Sequence, residues 1–257
     1  MLIDVHCHLD YFNDAELERI IEDAKNSGVY LLISNAQDLD SMQRNLEIGK
    51  RFAEVYFCLG LHPCRINKEK DFDKCERFIA ENISDKKFVG IGEIGLDFRY
   101  ATDESLRALQ KEIFIKQLNI AADYRLPVQI HSRKARSEVL NILENFLENN
   151  PKMHGKILLH WFVGNREELK LALGLGCFIS INSNILFSKS YAKYAAKIPL
   201  ENILLETDTP VVYNDERAVP SWIKKIAEKV SQIKGIPFSK LENILQENAR
   251  KIFKIPA

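Results

Sequence analysis

The chain has 257 residues, 46% apolar and 28% charged, which suits one large α/β domain or two small ones, with ample material for a core. Its 36 basic and 36 acidic side chains balance to zero formal charge, so a broad basic surface for long, non-specific nucleic-acid contact is not expected from the total. No apolar run approaches the ~20 residues that cross a bilayer, and no basic segment with a long apolar stretch opens the chain, so neither a membrane span nor a secretory signal is expected.

In chain order, apolar runs alternate with amphipathic stretches. A run at 2–6 leads into HCHLD, and the stretch 14–27 follows with helical spacing. There Leu17, Ile20, Ile21 and Ala24 form one stripe among Glu16, Glu18, Arg19 and Glu22, and Gly28 ends the helix. A run at 29–34 precedes a helix at 39–52; a run at 55–61 ends in CLGLHP before a helix at 72–83. The run 87–92 leads into GEIGLDF and a helix at 104–124, whose Leu118, Ala121 and Ala122 face inward before Pro127. Further strands are expected at 127–131, 156–160, 177–182 and 203–206, with helices at 135–148, 166–175, 190–197 and 221–234. A last helix is expected at 238–253, with Ser239 and Glu242 spaced as a capping box. Strand then helix, eight times, predicts an α/β fold of the (β/α)8 TIM-barrel type, one domain over 1–257 with an extra C-terminal helix. The rival, an open doubly wound sheet, needs a reversal of strand order. The five cysteines are odd in number and lack a CxxC pair; Cys7, Cys58 and Cys177 lie in or beside apolar runs and read as buried free thiols, which fits a reducing cytoplasm.

Six residues of metal-ligand type stand at the ends of these apolar runs: His6, His8, Glu93, His131, His160 and Asp208. In a barrel the active site lies at the C-terminal ends of the strands, so their shared position predicts a hydrolytic site with one or two divalent metals. His6 and His8 are two apart and share a face, with Cys7 turned away. Asp4 lies deeper on that face, and Asp10 follows in the loop. Glu93, among Gly90, Gly92 and Gly95, can use both oxygens to bridge two cations; Asp97 is a candidate to orient a ligand. Asp208 can both ligate and take a proton from a water, while Glu206 reads equally as an orienting group or an ion pair in the barrel wall. His62, before Pro63, is open to three roles: ligand, proton donor or phosphate contact. Arg133 offers a fork for a phosphate, or a surface salt bridge. His154, in a polar stretch, is expected at the surface.

The ordered set HCHLD, LGLHP, GEIGLDF, IHSR, strand-end His160 and LLETDTP resembles the TatD family of metal-dependent deoxyribonucleases, within the amidohydrolase-type barrels. The likeness runs from residue 3 to NARKIF, where Asn248 and Phe253 match the family's closing pattern. The resemblance implies a centre of two or three divalent ions: His6, His8 and Asp208 on one, Glu93 bridging to a second held by His131 and His160, and His62 at the substrate phosphate. Two departures fall around the substrate opening. The family's longer segment after the ETD motif is replaced by TPVVYNDERAVPSW, with Arg217 and Pro220 as loose counterparts, and its usual His-Cys-Phe is His160-Trp161-Phe162 here.

The reading that follows is a cytoplasmic phosphodiesterase acting on DNA, with Asp208 as general base, Glu93 as bridge, and His62 and Arg133 on the phosphate. Neutral charge confines binding to few phosphates, so ends or single strands are the expected substrates. Trp161, Phe162 and Tyr213 are candidates to stack on an unpaired base, with a core or rim position as the alternative. The donor set suits Zn, Mn, Ni or Co, with Mg able to support activity. A small-molecule amidohydrolase or lactonase is the rival enzyme, although Glu93 stands where many of these resemble one another in carrying a carboxylated lysine. A non-catalytic, metal-stabilised binding subunit is the alternative of another class.

Overall fold

The computed structural model describes residues 1–67 and 70–255. Eight parallel strands follow one another around the sheet in sequence order: β1 (Leu2–Cys7), β2 (Val29–Asn35), β3 (Val55–Leu59), β4 (Phe88–Asp97), β5 (Val128–Arg133), β6 (Ile157–Leu159), β7 (Phe178–Ile181) and β8 (Ile203–Leu205). No reversal of order occurs, so the open doubly wound alternative is excluded and the sheet is a nearly closed barrel. The seam between β8 and β1 is bonded just beyond the strands, where the Asp208 amide donates to the His6 carbonyl (3.0 Å) and the His8 amide to the Thr209 carbonyl (2.9 Å).

The helices that return the chain are α1 (Asp14–Asn26), α2 (Leu39–Arg51), α3 (Lys70–Asn82), α4 (Glu104–Tyr124), α5 (Arg136–Asn149), α6 (Arg166–Gly174), α7 (Lys189–Ala195), α8 (Ile223–Lys234) and α9 (Phe238–Ile252). Local chemistry starts several of them: Asn13 with Glu16, and Asn165 with Glu168, form reciprocal capping boxes. The stripe Leu17, Ile20, Ile21 and Ala24 is buried against the barrel. Among the described residues no helix is long and apolar enough to cross a membrane.

A separate apolar cluster joins Ile3, Leu31, Val89, Leu158 and Leu204 from strands around the barrel to Phe253 and Ile255 of the closing segment. Such residues meet only inside the barrel, so the C-terminal end helps fill the interior below the mouth.

Two expectations are corrected. The fourth strand does not stop at 92 but continues to Asp97, so Glu93 lies within β4 rather than at its end. The glycines around it allow close approach: at Gly95, where φ is +135°, a Cβ would stand 2.1 Å from the His131 carbonyl oxygen. Ser239 does not cap α9, because the N-cap is Pro237 and Ser239 falls inside the first turn; Glu242 instead accepts from the amino group of Met1 at 2.7 Å. Cys7, Cys58, Cys75 and Cys177 are buried and Cys64 is partly so.

Candidate metal centre and substrate cleft

Glu93 is the hub of the barrel mouth. Its Oε2 lies 3.4 Å from His8 Nε2 and 3.5 Å from His6 Nε2. Its Oε1 lies 2.8 Å from His131 Nδ1, 3.4 Å from His62 Nε2 and 3.7 Å from His160 Nε2. Asp208, held in the left-handed region (φ 54°), faces Glu93 across the mouth. Its Oδ1 is 3.5 Å from His8 Nε2 and 3.7 Å from His6 Nε2, and its Oδ2 is 3.9 Å from His160 Nε2. All six residues expected as ligands therefore come together, with His62 as a seventh neighbour.

Three histidines are oriented by partners behind them. His6 Nδ1 bonds Gln129 Oε1 (2.8 Å), His8 Nδ1 donates to the Asn35 carbonyl (2.9 Å), and His160 Nδ1 bonds Glu206 Oε2 (2.9 Å). Each acceptor holds a proton on Nδ1 and aims Nε2 at the cluster, the orientation a metal ligand needs. His131 differs: Nδ1 meets Glu93 and Nε2 meets Asp97 Oδ2 at 3.0 Å. His62 Nδ1 accepts from the Cys64 amide (3.1 Å), which turns Nε2 toward Glu93.

The charges are mutually dependent. Burial works against charge on His8 and His160, but nearby carboxylates outweigh it and raise both: Asp208 and Glu93 at His8, and Glu206 ahead of Asp208 at His160, which reaches about 10. Burial would likewise raise Glu93 and Asp208; the imidazoles around them, His62 first for Glu93 and His160 first for Asp208, hold both below the usual carboxylate range. Burial alone dominates at His62 and lowers it.

These residues fit a divalent cation on two grounds. His6 Nε2 is buried and has no hydrogen-bond partner among the described residues, although it faces both Glu93 and Asp208. A core histidine with a purely structural role would not be left so. Donor atoms also fall within 4.8 Å of one another in three overlapping groups: His6, His8 and Glu93; His6, His160 and Asp208; His62, Glu93 and His131. That places His160 beside His6 and Asp208 as well as near Glu93, and brings His62 within the third group.

Other expected residues separate. Asp4 is fully buried, takes hydrogen bonds from the amides of His6 and Thr207, and is pushed by burial to about 8; it ties β1 to the segment after β8 instead of facing the cluster. Glu206 has the orienting role, accepting also from the Trp161 amide. Phe162 is wholly buried, Tyr213 is buried behind the rim, and His154 is exposed. Arg217 lies outside the mouth, over the Phe12 ring and 3.8 Å from Glu16.

Above the cluster is a cavity of about 690 Å³, within the ~300–1,000 Å³ typical of small-ligand sites. Arg133 at the end of β5 and Arg136 at the start of α5 line it, Trp161 and Val163 follow β6, and Tyr11 stands after β1, its hydroxyl on Gln37 Oε1 at 2.9 Å. Sequence reading missed Gln129, Asn35, Arg136 and Tyr11. Of these only Gln129 carries a local signal, a polar side chain within the apolar run PVQI.

A parallel eight-stranded barrel with an imidazole–carboxylate cluster at its C-terminal mouth is the architecture of metal-dependent hydrolases. The family model described as TatD related DNase matches residues 3–254, and the chain belongs to the TatD family. It is 32% identical over 266 residues to a human protein named deoxyribonuclease TATDN3, covering 98% of this chain and 94% of that one. It is 31% identical over 262 residues to a Bacillus subtilis protein named as an uncharacterized metal-dependent hydrolase, YabD, covering 99% of this chain and 100% of the relative. The crystal structure of YjjV, a TatD homologue from Escherichia coli, superposes with a TM-score of 0.86 at 25% identity, covering 99% of this chain and 98% of that one.

Proposed function

We propose that this metal-dependent hydrolase is a deoxyribonuclease that cleaves phosphodiester bonds at ends or in single strands of DNA. The observation that carries the reading is Glu93, 2% exposed, with nitrogens of five imidazoles within 3.7 Å, at the floor of a cavity rimmed by Arg133 and Arg136. The name of the human relative and the family description support DNA as substrate. His6, His8 and Asp208 would hold one divalent cation and His131 and His160 a second, with Glu93 within reach of both groups and His62 beside Glu93. Zn, Mn, Ni and Co suit these donors, and Mg can support turnover. When bound, such cations stabilise charge on phosphoryl oxygens and lower the pKa of water.

Asp208 accepts the proton of the attacking water. The water oxygen bonds to phosphorus opposite the sugar oxygen, whose bond to phosphorus breaks and which takes up a proton from solvent to leave as the alcohol. His62 supports the phosphate or the leaving oxygen, and the Arg133 guanidinium holds a phosphate oxygen by charge-assisted hydrogen bonds. Zero formal charge supports a footprint of few phosphates, with a correspondingly weak salt dependence. The protein acts as one domain, and its mostly buried thiols fit the cytoplasm.

The test is hydrolysis of end-labelled single-stranded DNA by metal-reconstituted protein with Mg or Mn, beside Glu93→Ala. Metal-dependent shortening by the wild type alone is expected, and the product ladder gives the polarity. No cleavage despite one or more metals bound per chain would move the assignment to a small-molecule hydrolase and to lactones and amides as substrates.

A further inference from the structure

Of the three aromatic residues that the sequence offers as stacking candidates, the fold leaves one facing the cleft. Phe162 is in the core, and Tyr213 is 9% exposed, while Trp161 lines the cavity together with Val163, Pro210 and Val211. The geometry points to Trp161 as the platform on which the unpaired base beside the scissile phosphate stacks, an inference that rests on the phosphodiesterase reading above.

Three features prepare the indole for that task. It follows His160 directly, with ring centroids 6.3 Å apart and nearly perpendicular (81°), so a base on it belongs to a nucleotide whose phosphate can reach the cluster. It is backed by other rings: Tyr213 stands 5.9 Å from Trp161, Phe187 stacks on Tyr213 at 5.8 Å and 8°, and Trp222 lies 5.9 Å from Phe187. Its backbone is held where few non-glycine residues lie (φ 41°), with its amide donating to Glu206 Oε1 at 3.1 Å, the carboxylate that also orients His160. The platform and a histidine of the cluster thus share one anchor.

The chemistry explains how a chain of zero formal charge can favour unpaired DNA. A π-face accepts any base but only an unpaired one, so discrimination comes from stacking and not from a long basic track. Val163 and Val211 widen the same apolar wall, while Arg133 and Arg136 supply cationic charge at another part of the rim.

The experiment compares wild type, Trp161→Ala and Trp161→Phe, all metal-loaded, on tetrathymidylate and on an abasic chain of equal length. Trp161→Ala should lose about fivefold to a hundredfold in kcat/KM on the thymidylate, mainly through KM, and less than about threefold on the abasic chain, with Trp161→Phe restoring most of the loss. Equal losses on both substrates, or none on either, would overturn the inference and leave Trp161 as rim packing. If the wild type cleaves neither substrate, the phosphodiesterase reading fails, and stacking is then judged by binding alone. The chain has two tryptophans, so Trp222→Phe isolates Trp161 emission for titration with phosphorothioate tetrathymidylate. Saturable quenching would support the platform; unchanged emission would refute it.

Discussion

On the Oε2 side of Glu93, His6 and His8 each commit Nδ1 to a fixed acceptor and turn Nε2 inward; on the Oε1 side His160 does the same, but its neighbour His131 gives both nitrogens to carboxylates. The anchored histidine side chains are at most 6% exposed, while the His131 side chain keeps 17% of its surface. Asp97, its second partner, is held down to about 2 despite burial, by His131 and by the Tyr100 amide. The difference separates a donor set built by the fold from one closed by its own ion pairs. At the first, a cation displaces protons from Nε2 atoms already aimed by the fold; at the second, it must also break the short contact of His131 Nδ1 with Glu93. On the two-cation proposal, two classes of affinity are expected, the tighter at His6, His8 and Asp208.

The most drastic way to break the comparison is to remove what the two sides share. Glu93→Ala should abolish tight binding of both cations and lower hydrolysis by more than the ~10–100-fold typical of losing an orienting partner. Metal content by mass spectrometry and turnover should fall together; retention of one tight cation would show that Glu93 serves one side only. Gln129→Leu acts on the anchored side alone. It frees the His6 ring and leaves the Val5 carbonyl without its side-chain donor, so the tighter affinity should fall ~10–100-fold in a chelator competition. An unchanged tight class would mean that stacking of His6 on His160, at 3.8 Å, is enough to orient it.

How far these two sides were legible in the sequence follows the same division. His6, His8, His131 and His160 stand out because short apolar runs end beside them, and strand–helix alternation alone places such ends at one mouth. The anchors are not legible, because a barrel joins residues distant in sequence: Gln129 meets His6 across 123 positions and Glu206 meets His160 across 46. Nor does local pattern show that β4 runs on through Glu93, since glycines that permit close packing and glycines that end a strand look alike. The sequence likewise names Trp161, Phe162 and Tyr213 as equals, and only the turn after β6 decides which of them meets the cleft.

Gly95 sharpens the comparison from the other side. With φ at +135° and the His131 carbonyl 2.1 Å from where a Cβ would stand, Gly95→Ala must part β4 from β5 at that histidine. Destabilisation of ~1–3 kcal/mol is expected, read as a melting temperature lowered by several degrees. The weaker cation should be lost while the tighter one is kept; equal loss of both would mean that the two sides are mechanically one.

The smallest effect belongs to the rim. Arg133 is exposed at the end of β5 and lines the cavity without touching either side of the cluster in any contact that defines it. Its truncation to alanine should leave both metal affinities as they are. The substrate term alone should move: KM on single-stranded DNA rising about fivefold with kcat held, and the salt dependence shallower by about 0.7, the share of one single-strand phosphate. A KM that rises with no change in slope would place Arg133 against a base or sugar instead. If neither moves, Arg136, on the same arc of the rim, is the guanidinium that meets the phosphate, and the arginine of the IHSR motif is there for the surface.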